Sequence, residues 1–385
     1  MDYKKTSSGV CVDDFYASGV KEGKYGVALI MNKNPCRCAA VFTTNTMKAA
    51  PVLLSMEKVK KGGIQAIIVN SGNANACVKG GMEDAKKMCE IAGKLLGLAP
   101  EKIAVSSTGI IGRKIDLAII EARAAKAKES LANNPEASGN AARAIMTTDT
   151  VKKELSFSYK GIEIGAICKG VGMLCPNMAT MLCFITTNAN LPEKDLQACL
   201  KEAVDDSFNM TSVDGDMSTN DTVLLLSNAK VKCAKDDFQD LLSYITKELA
   251  KLLVRDGEGA TKYIEVEVRG AKDRTTARKA VQAIISSPLV KTAVYGENPN
   301  WGRIAAAMGK VIEFDFSKTD LSFESGGKLA VVVEQGEMRD LAPAREVLKS
   351  KDIRIIVNLN SGKEKALGYG CDLTEGYIKI NAEYN

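Results

Sequence analysis

Apolar runs of strand length alternate along this chain with longer segments whose apolar residues recur at helical spacing, and no other feature limits the fold as strongly. The run GIQAIIVN (63–70) indicates a strand, and GMEDAKKMCEIAGKLLGL (81–98) after it indicates a helix. The run KIAVSSTGIIG (102–112) indicates a second strand that ends in a loop, and an alanine-rich helix is predicted over 115–134. The sequence therefore predicts an α/β fold.

The same alternation continues in the second half of the chain. The segment LPEKDLQACLKEAVDDSF (191–208) predicts another helix, with Pro192 in its first turn. Later strands are predicted in four apolar runs, DTVLLLSNA, KYIEVEVRG, LAVVVEQ and DIRIIVNLN. A chain of 385 residues has room for roughly two domains, but no low-complexity linker marks a boundary.

Composition excludes several classes of function. The net charge of +5 arises from 52 basic and 47 acidic residues without a block of like charge, so we expect no nucleic-acid partner. No apolar run of about 18 residues and no signal core is present, so we expect a cytoplasmic protein without a membrane partner. The 11 cysteines form no C-x-x-C pair, and neither a disulfide framework nor a metal site is predicted.

The chain contains no histidine, which restricts its chemistry further. Ser-His-Asp and Cys-His catalysis and histidine-based zinc hydrolysis are excluded within this chain, so any general base is another group. One candidate is the free α-amine of an N-terminal threonine, which has a reference pKa of about 7.7 to 8.0 and can take the proton of that residue's own hydroxyl.

The stretch GMLCPNMATMLCFITTNAN (172–190) places Thr180 directly before an apolar run. Cleavage between Ala179 and Thr180 would create such an N-terminal threonine. The Thr180 hydroxyl can attack the preceding carbonyl to form an ester that water then opens, and small Ala179 leaves that carbonyl accessible. On the residues alone we favour the simpler alternative, in which Thr180 is a buried residue that opens a strand.

Other loops carry dense small polar residues. In SSTGIIG (106–112), Thr108 and Gly109 follow a strand and can direct a hydroxyl and an amide at one oxygen, as an oxyanion hole requires. The alternative is that these residues only form hydrogen bonds with nearby backbone groups. NSGNANAC (70–77) is interpreted as turn structure rather than a phosphate loop. VDGDMSTNDT (213–222) lacks the glycine and glutamate of a calcium loop and predicts Asx turns.

Several motifs together identify a family by resemblance. The chain closely resembles the ornithine acetyltransferase (glutamate N-acetyltransferase) family of arginine biosynthesis, in order and over nearly its whole length, in KGVGMLCPNMATML, NSGNANAC, SSTGIIG, MTTDT, DGDMSTNDT, RDGEGATK, YGENPNWGRI and YIKINAEY. The resemblance implies a self-processing α/β enzyme with the logic of an N-terminal-nucleophile hydrolase. It also implies an α chain of residues 1–179 and a β chain of residues 180–385, assembled as a heterotetramer of two α and two β chains.

The resemblance also implies roles for individual residues. Thr180 matches the nucleophile, Ala179 and Thr180 flank the cleaved bond, and Thr108 and Gly109 match the oxyanion-hole pair. Contacts to the amino-acid substrate match Thr147, Lys169, Thr180, Glu258 and Asn381. Thr148 stays open as an alternative to Thr147, and surface solvation stays open for Lys169 and Glu258. The chain ends at Asn385, one residue short of the threonine that usually closes the family's tail.

The implied reaction transfers an acetyl group from N-acetylornithine to glutamate through an acetyl-threonine ester, without a cofactor. Some members of the family also use acetyl-CoA, and the sequence leaves open whether this chain does. Two other functions stay open: a self-processing aminopeptidase or amidase, in which water is the acceptor, and a non-catalytic α/β protein that binds a small molecule. The sequence assigns no role to the segment 295–304.

Overall fold

The computed structural model describes residues 2–174 and 181–383, and it confirms the predicted mixture of helices and strands. Its strands are β1 (Lys4–Lys5), β2 (Phe15–Glu22), β3 (Tyr25–Asn32), β4 (Arg37–Phe42), β5 (Ala66–Asn73), β6 (Ile103–Ile110), β7 (Lys153–Tyr159), β8 (Ile162–Lys169), β9 (Leu182–Asn190), β10 (Thr211–Ser212), β11 (Thr222–Lys232), β12 (Tyr263–Ala271), β13 (Asp320–Ser325), β14 (Lys328–Glu334), β15 (Glu337–Met338), β16 (Asp352–Asn358) and β17 (Glu364–Cys371).

Helices occur in both halves of the chain. They are α1 (Ala50–Lys61), α2 (Gly81–Leu96), α3 (Leu117–Glu129), α4 (Pro135–Ala144), α5 (Glu193–Asp205), α6 (Lys235–Arg255), α7 (Arg274–Ile285), α8 (Pro288–Tyr295), α9 (Trp301–Gly309), α10 (Ala342–Leu348) and α11 (Glu375–Glu383). None of them, within the described ranges, is long and apolar enough to cross a membrane.

The chain divides into two compact units. The first unit comprises Met1–Gly170, Met178–Asp205 and Met217–Leu249, and the second comprises Val171–Asn177, Asp206–Asp216 and Ala250–Asn385. Both units are therefore built from segments on either side of the predicted cleavage position. The division into an α chain of 1–179 and a β chain of 180–385 stays a prediction.

Two sheets form the centre of the first unit. A six-stranded sheet has the order β1-β7-β8-β9-β11-β4, and a four-stranded sheet has the order β2-β3-β5-β6. The pairs β9–β11 and β5–β6 are parallel, and the other pairs in these two sheets are antiparallel.

Alternation along the strands of the first unit places the two sheets face to face. Ile67 and Val69 of β5 lie in one buried cluster with Phe184 of β9 and Leu224 of β11. Ile68, between them in sequence, points to the opposite face, where it packs in a second cluster with residues of α2 and α3. This period of two is the pattern of a strand buried on both sides.

Helices α5 and α6 complete the layers on the six-stranded sheet. Tyr244 of α6 packs edge-on against Phe157 of β7, with ring centroids 5.1 Å apart. Gln197 of α5 accepts a hydrogen bond from the Ala40 N–H and donates one to the Ala40 carbonyl, at 3.0 Å each. Because β4 is an edge strand, these bonds occupy backbone groups that could otherwise pair with a strand of another molecule. The first unit is thus layered as helices, sheet, sheet, helices.

The second unit contains one seven-stranded sheet, in the order β10-β17-β12-β16-β13-β14-β15. Ile264, Val266 and Val268 of β12 lie in its apolar core, which also holds residues of α7, α8, α9 and α10. Glu267, on the other face of β12, forms an ion pair with Arg354 of β16 at 2.9 Å. The run KYIEVEVRG therefore alternates as a half-buried strand does.

The segment 295–304 lies in this second unit and starts α9. The Asn300 side chain accepts a hydrogen bond from the Arg303 N–H at 3.3 Å, as a helix N-cap does. Trp301 stacks on Phe316 with ring centroids 5.5 Å apart. These contacts give the segment a structural role.

Three predictions about local structure were wrong in detail. The strand predicted at the start of 102–112 continues to Ile110, so Thr108 lies on the strand and not in a loop after it. The turn predicted over 70–77 begins only after Asn73, because β5 continues beside β6. Helix α5 begins one residue after Pro192, whose carbonyl accepts the first helical hydrogen bond, from the Leu196 N–H.

The turns predicted in VDGDMSTNDT are confirmed. Asp214 accepts a hydrogen bond from the Asp216 N–H at 3.1 Å, and Ser218 accepts one from the Asn220 N–H at 3.0 Å. Both are the side-chain turns that Asp and Ser form two residues ahead.

Candidate active site

Thr108 lies near the end of β6 and is only 4% exposed. Lys169, the last residue of β8 and 3% exposed, donates a hydrogen bond from Nζ to Oγ1 of Thr108 at 3.3 Å. A hydroxyl that accepts from an ammonium group keeps its own proton to donate elsewhere, and it donates more strongly because the ammonium polarises it. The predicted oxyanion-hole hydroxyl is therefore both buried and polarised.

Gly109 follows directly and has φ of +132°, in the region that favours glycine. It pairs with Gly72 of the parallel strand β5. A Cβ on Gly109 would lie 2.3 Å from the backbone carbonyl carbon of Gly72, closer than any real contact. Glycine is needed here because the two strands approach each other so closely.

A buried carboxylate organises the surroundings of Lys169. Asp149 accepts hydrogen bonds from Nζ of Lys153 at 2.8 Å, from the Gly170 N–H at 2.9 Å and from the Thr147 N–H at 3.1 Å. Burial acts to raise the pKa of Asp149, but the ammonium groups of Lys169 and Lys153 outweigh it and hold that pKa below its ordinary value. Asp149 is thus an anion that fixes the residue after Lys169.

Thr147, a predicted substrate residue, contacts Asp149 through its backbone N–H. Both Thr147 and Thr148 are half-buried, so the structure does not decide between them. Lys21 of β2 also reaches the cluster, donating from Nζ to the Met146 carbonyl. Burial lowers the pKa of Lys21, and the charge of Asp149 opposes that effect.

In the second unit, Glu258 and Asn381 contact each other. Nδ2 of Asn381, on α11, donates to Oε2 of Glu258 at 2.9 Å. The Glu258 N–H donates to the Val171 carbonyl at 2.8 Å. A Cβ on Gly172 would lie 2.4 Å from Oε2 of Glu258, so the absence of a side chain there makes room for the carboxylate. Two residues predicted to share the substrate site therefore lie side by side.

Asp214 holds the chain just before the predicted cleavage segment, also within the second unit. It accepts hydrogen bonds from the N–H groups of Met173 and Leu174. The Tyr377 hydroxyl of α11 donates to the same carboxylate at 3.3 Å. Burial is the largest cause of the raised pKa of Asp214.

A second aspartate of the same motif binds the chain after the cleavage segment, within the first unit. Oδ1 of Asp221 accepts a hydrogen bond from the Met181 N–H at 3.0 Å, and Asp221 is fully buried. Thr180 and Ala179 themselves lie outside the described residues. Asp221 and Asp149 were both missed in the sequence, where an isolated aspartate carries no periodic signal of burial.

Within the described ranges, no cluster of three or more cysteine or carboxylate side chains is arranged to hold a metal ion. The Lys169 ammonium group beside the Thr108 hydroxyl suits an anionic oxygen better than a cation.

A sequence profile described as the ArgJ family matches residues 14–385. The chain belongs to the ArgJ family. The predicted family resemblance is thereby confirmed, and this ArgJ-family chain also matches individual relatives over their whole length. It is 44% identical over 399 residues to the glutamate N-acetyltransferase of Methanothermobacter thermautotrophicus, covering 100% of this chain and 99% of the relative. It is 46% identical over 395 residues to the glutamate N-acetyltransferase of Methanosarcina acetivorans, covering 99% of each.

Two solved ArgJ-type structures are also similar to this chain. The arginine biosynthesis bifunctional protein ArgJ of Bacillus halodurans is 37% identical, with a TM-score of 0.49, and covers 52% of this chain and 98% of that chain. The ornithine acetyltransferase of Mycobacterium tuberculosis in complex with ornithine is 32% identical, with a TM-score of 0.43, and covers 46% of this chain and 98% of that chain.

Proposed function

We propose that this ArgJ-family protein cleaves itself between Ala179 and Thr180 and then transfers an acetyl group from N2-acetyl-L-ornithine to L-glutamate in arginine biosynthesis. The observation that carries the proposal is the polarised hydroxyl of Thr108 beside Gly109, with Lys169 at 3.3 Å from its oxygen. Such a donor pair stabilises the oxyanion of an acyl-transfer reaction. The relatives named glutamate N-acetyltransferase, at 44 and 46% identity over the full length, support the choice of acyl group and acceptor.

The proposed reaction has two half-reactions. The Thr180 oxygen attacks the acetyl carbonyl of N-acetylornithine while the α-amine of Thr180 takes the hydroxyl proton. Thr108 and the Gly109 N–H donate to the oxyanion, the C–N bond breaks, and the proton passes to the departing amine of ornithine. The amine of glutamate then attacks the acetyl-threonine ester, and Thr180 regains its proton.

In the proposed function, charged side chains of the protein bind the charged groups of the amino-acid substrate. We assign the α-carboxylate of the amino acid to the Lys169 ammonium, whose donors suit a carboxylate. Glu258 would bind an ammonium group of the substrate. Its carboxylate accepts a hydrogen bond from the Asn381 amide, which holds the negative charge in one position. Thr147 is retained as a further substrate contact. Both amino acids share the same α-amino-acid head, so the same residues can serve both half-reactions.

Other parts of the proposal concern processing and assembly. The mature protein would consist of an α chain of 1–179 and a β chain of 180–385, in a cytoplasmic heterotetramer of two copies of each. Acetyl-CoA is a second possible acetyl donor, which would acylate the same threonine. Light scattering on the purified protein measures the assembly, and N-acetylglutamate formation from acetyl-CoA measures the second donor.

A half-reaction experiment tests the main proposal. Incubation with N-acetylornithine in the absence of glutamate should release about one equivalent of ornithine per site and leave one acetyl group on the fragment that starts at Thr180. Addition of glutamate should then remove the acetyl group as N-acetylglutamate. Continuous release of acetate without glutamate would instead indicate a hydrolase.

A further inference from the structure

Self-cleavage, if it occurs as proposed above, needs a base that the mature enzyme does not need. Before the Ala179–Thr180 bond is cut, the nitrogen of Thr180 is part of a peptide bond and cannot accept a proton. The chain contains no histidine. The first cleavage therefore depends on a different acid–base group close to Thr180.

Asp221 contacts Met181, the first described residue after the junction. It is 0% exposed, and its Oδ1 accepts the N–H of Met181, the residue directly after Thr180, at 3.0 Å. The Thr222 N–H in turn donates to the Met181 carbonyl at 3.1 Å. Strands β9 and β11 begin here as a parallel pair, with Leu182 opposite Thr222. The carboxyl group is therefore held one residue from the nucleophile.

The need to satisfy one backbone N–H does not explain an aspartate at this place. An asparagine carbonyl would accept the same bond without the cost of burying an ionisable group. The second oxygen, Oδ2, has no well-formed hydrogen bond to any residue of the described ranges. A buried carboxyl group with one oxygen left unpartnered among the described residues can accept and return a proton.

The surroundings of Asp221 make it a stronger base than an ordinary carboxylate. Burial raises its pKa well above the usual value, against smaller opposing effects of the Met181 N–H, the Ser218 and Thr43 hydroxyls and the Lys169 ammonium. The Thr43 hydroxyl donates to the Ser218 carbonyl at 2.7 Å. Of the groups that oppose the effect of burial, Lys169 is the charged one.

We propose that Asp221 carries the proton of the self-cleavage step. Its carboxylate takes the hydroxyl proton of Thr180, directly or through one water, as the Thr180 oxygen bonds to the Ala179 carbonyl carbon. It then returns that proton to the Thr180 nitrogen as the C–N bond breaks, which leaves an ester and a free amine. Water opens the ester, releasing the Ala179 carboxylate and restoring the hydroxyl. In the mature protein the freed amine replaces Asp221 as the base.

Precursor cleavage during cell-free synthesis tests this proposal, because uncut chain is visible from the start. Asp221→Asn keeps an acceptor for the Met181 N–H but cannot carry a proton, so cleavage at Ala179–Thr180 should slow by roughly a hundredfold or more. Asp221→Glu keeps the carboxyl group and should cleave measurably faster than Asp221→Asn. The wild-type rate should rise with pH to a plateau, and Asp221→Asn should lose that rise.

Asp84→Asn is the matched control. Asp84 of α2 is also buried, at 6% exposure, and its Oδ2 also lacks a partner within the described ranges, but the Met181 N–H is bound by Asp221 and not by Asp84. This variant should cleave at the wild-type rate. Circular dichroism and thermal melting establish that each variant is folded.

The outcomes separate this proposal from the one on which it rests. A wild-type chain that never cleaves at Ala179–Thr180 ends the self-cleavage proposal itself. A wild-type chain that cleaves, together with folded Asp221→Asn that cleaves equally fast, leaves self-cleavage intact and overturns the role of Asp221. If Asp221→Asn does not fold, a pH-independent wild-type rate overturns that role.

Discussion

The hydroxyl of Thr108 shows how a single residue gains reactivity from its neighbours. In water a threonine hydroxyl is a weak donor, but here it is buried and accepts a bond from the Lys169 ammonium. In a water-excluded site, a donor that is already oriented stabilises developing charge without reorganisation.

Replacing this hydroxyl should reduce turnover. We predict that Thr108→Val, which keeps the shape but removes the donor, lowers kcat by roughly a hundredfold or more. Thr108→Ser keeps the donor and is the matched control, with kcat within about tenfold of the wild type. Steady-state kinetics with N-acetylornithine and glutamate measures both variants. Unchanged turnover in a folded Thr108→Val protein would remove Thr108 from the mechanism.

Asp149 has a different task, since it balances buried positive charge. Lys153 is 0% exposed and is bound to Asp149 at 2.8 Å. We predict that Asp149→Asn leaves this ammonium uncompensated and lowers the free energy of unfolding at neutral pH by about 3 to 5 kcal/mol. Urea denaturation measures the difference. A change below about 1 kcal/mol would show that the charge balance matters little.

The same pair predicts a dependence of stability on pH. Because the pKa of Asp149 is lowered in the folded state, its contribution is complete above the unfolded value of about 3.9 and is lost as pH falls through the folded value. Denaturation curves from pH 7 to pH 3 should therefore show a smaller acid-induced loss of stability in Asp149→Asn than in the wild type. Parallel losses in the two proteins would contradict this.

At the scale of elements, the site depends on strands that approach closely at their ends. β6 presents Thr108 and Gly109 only because Gly72 of β5 and Gly109 lie opposite each other without side chains. We predict that Gly109→Ala destabilises the protein by at least about 2 kcal/mol, because φ of +132° and the 2.3 Å approach both disfavour a Cβ. Gly97→Ala is a partial control, since it has positive φ without a close neighbour. Equal thermal stability of the two variants would show that the approach is not tight.

Helix α11 carries Asn381, which the proposed function assigns to substrate binding. One lost hydrogen bond costs about 0.5 to 1.5 kcal/mol, so Asn381→Ala should raise the apparent KM several-fold. Lys379→Ala, on the same helix, should leave KM unchanged. If removal of residues 381–385 changes neither KM nor kcat, the tail takes no part in the site.

The sequence predicted these elements better than it predicted their ends and their buried charges. Strand β6 was recognised from its apolar run, but the position of Thr108 within the strand follows from pairing with β5, which local periodicity does not encode. The substrate roles of Lys169 and Glu258 came only from the family resemblance, because surface solvation explained both residues equally well. Asp149 and Asp221 were not identified, because a single aspartate reveals its burial only when residues distant in sequence pack around it.

At the scale of the whole molecule, each compact unit combines segments from both sides of the predicted cleavage point. Strand β8 ends at Lys169 and β9 begins at Leu182, so cutting the Ala179–Thr180 bond would interrupt none of the described strands. Under the proposed function, the chain is cut after folding, and both processing and catalysis depend on Thr180.

Intact-mass spectrometry of the wild type and of Thr180→Ala, each incubated with N-acetylornithine without glutamate, tests this dependence most directly. We predict that the wild type consists of two fragments, 1–179 and 180–385, and that only the second gains one acetyl group. Thr180→Ala should remain one chain without acetyl. An acetyl group on another residue, or cleavage of Thr180→Ala at the same bond, would contradict the role of Thr180.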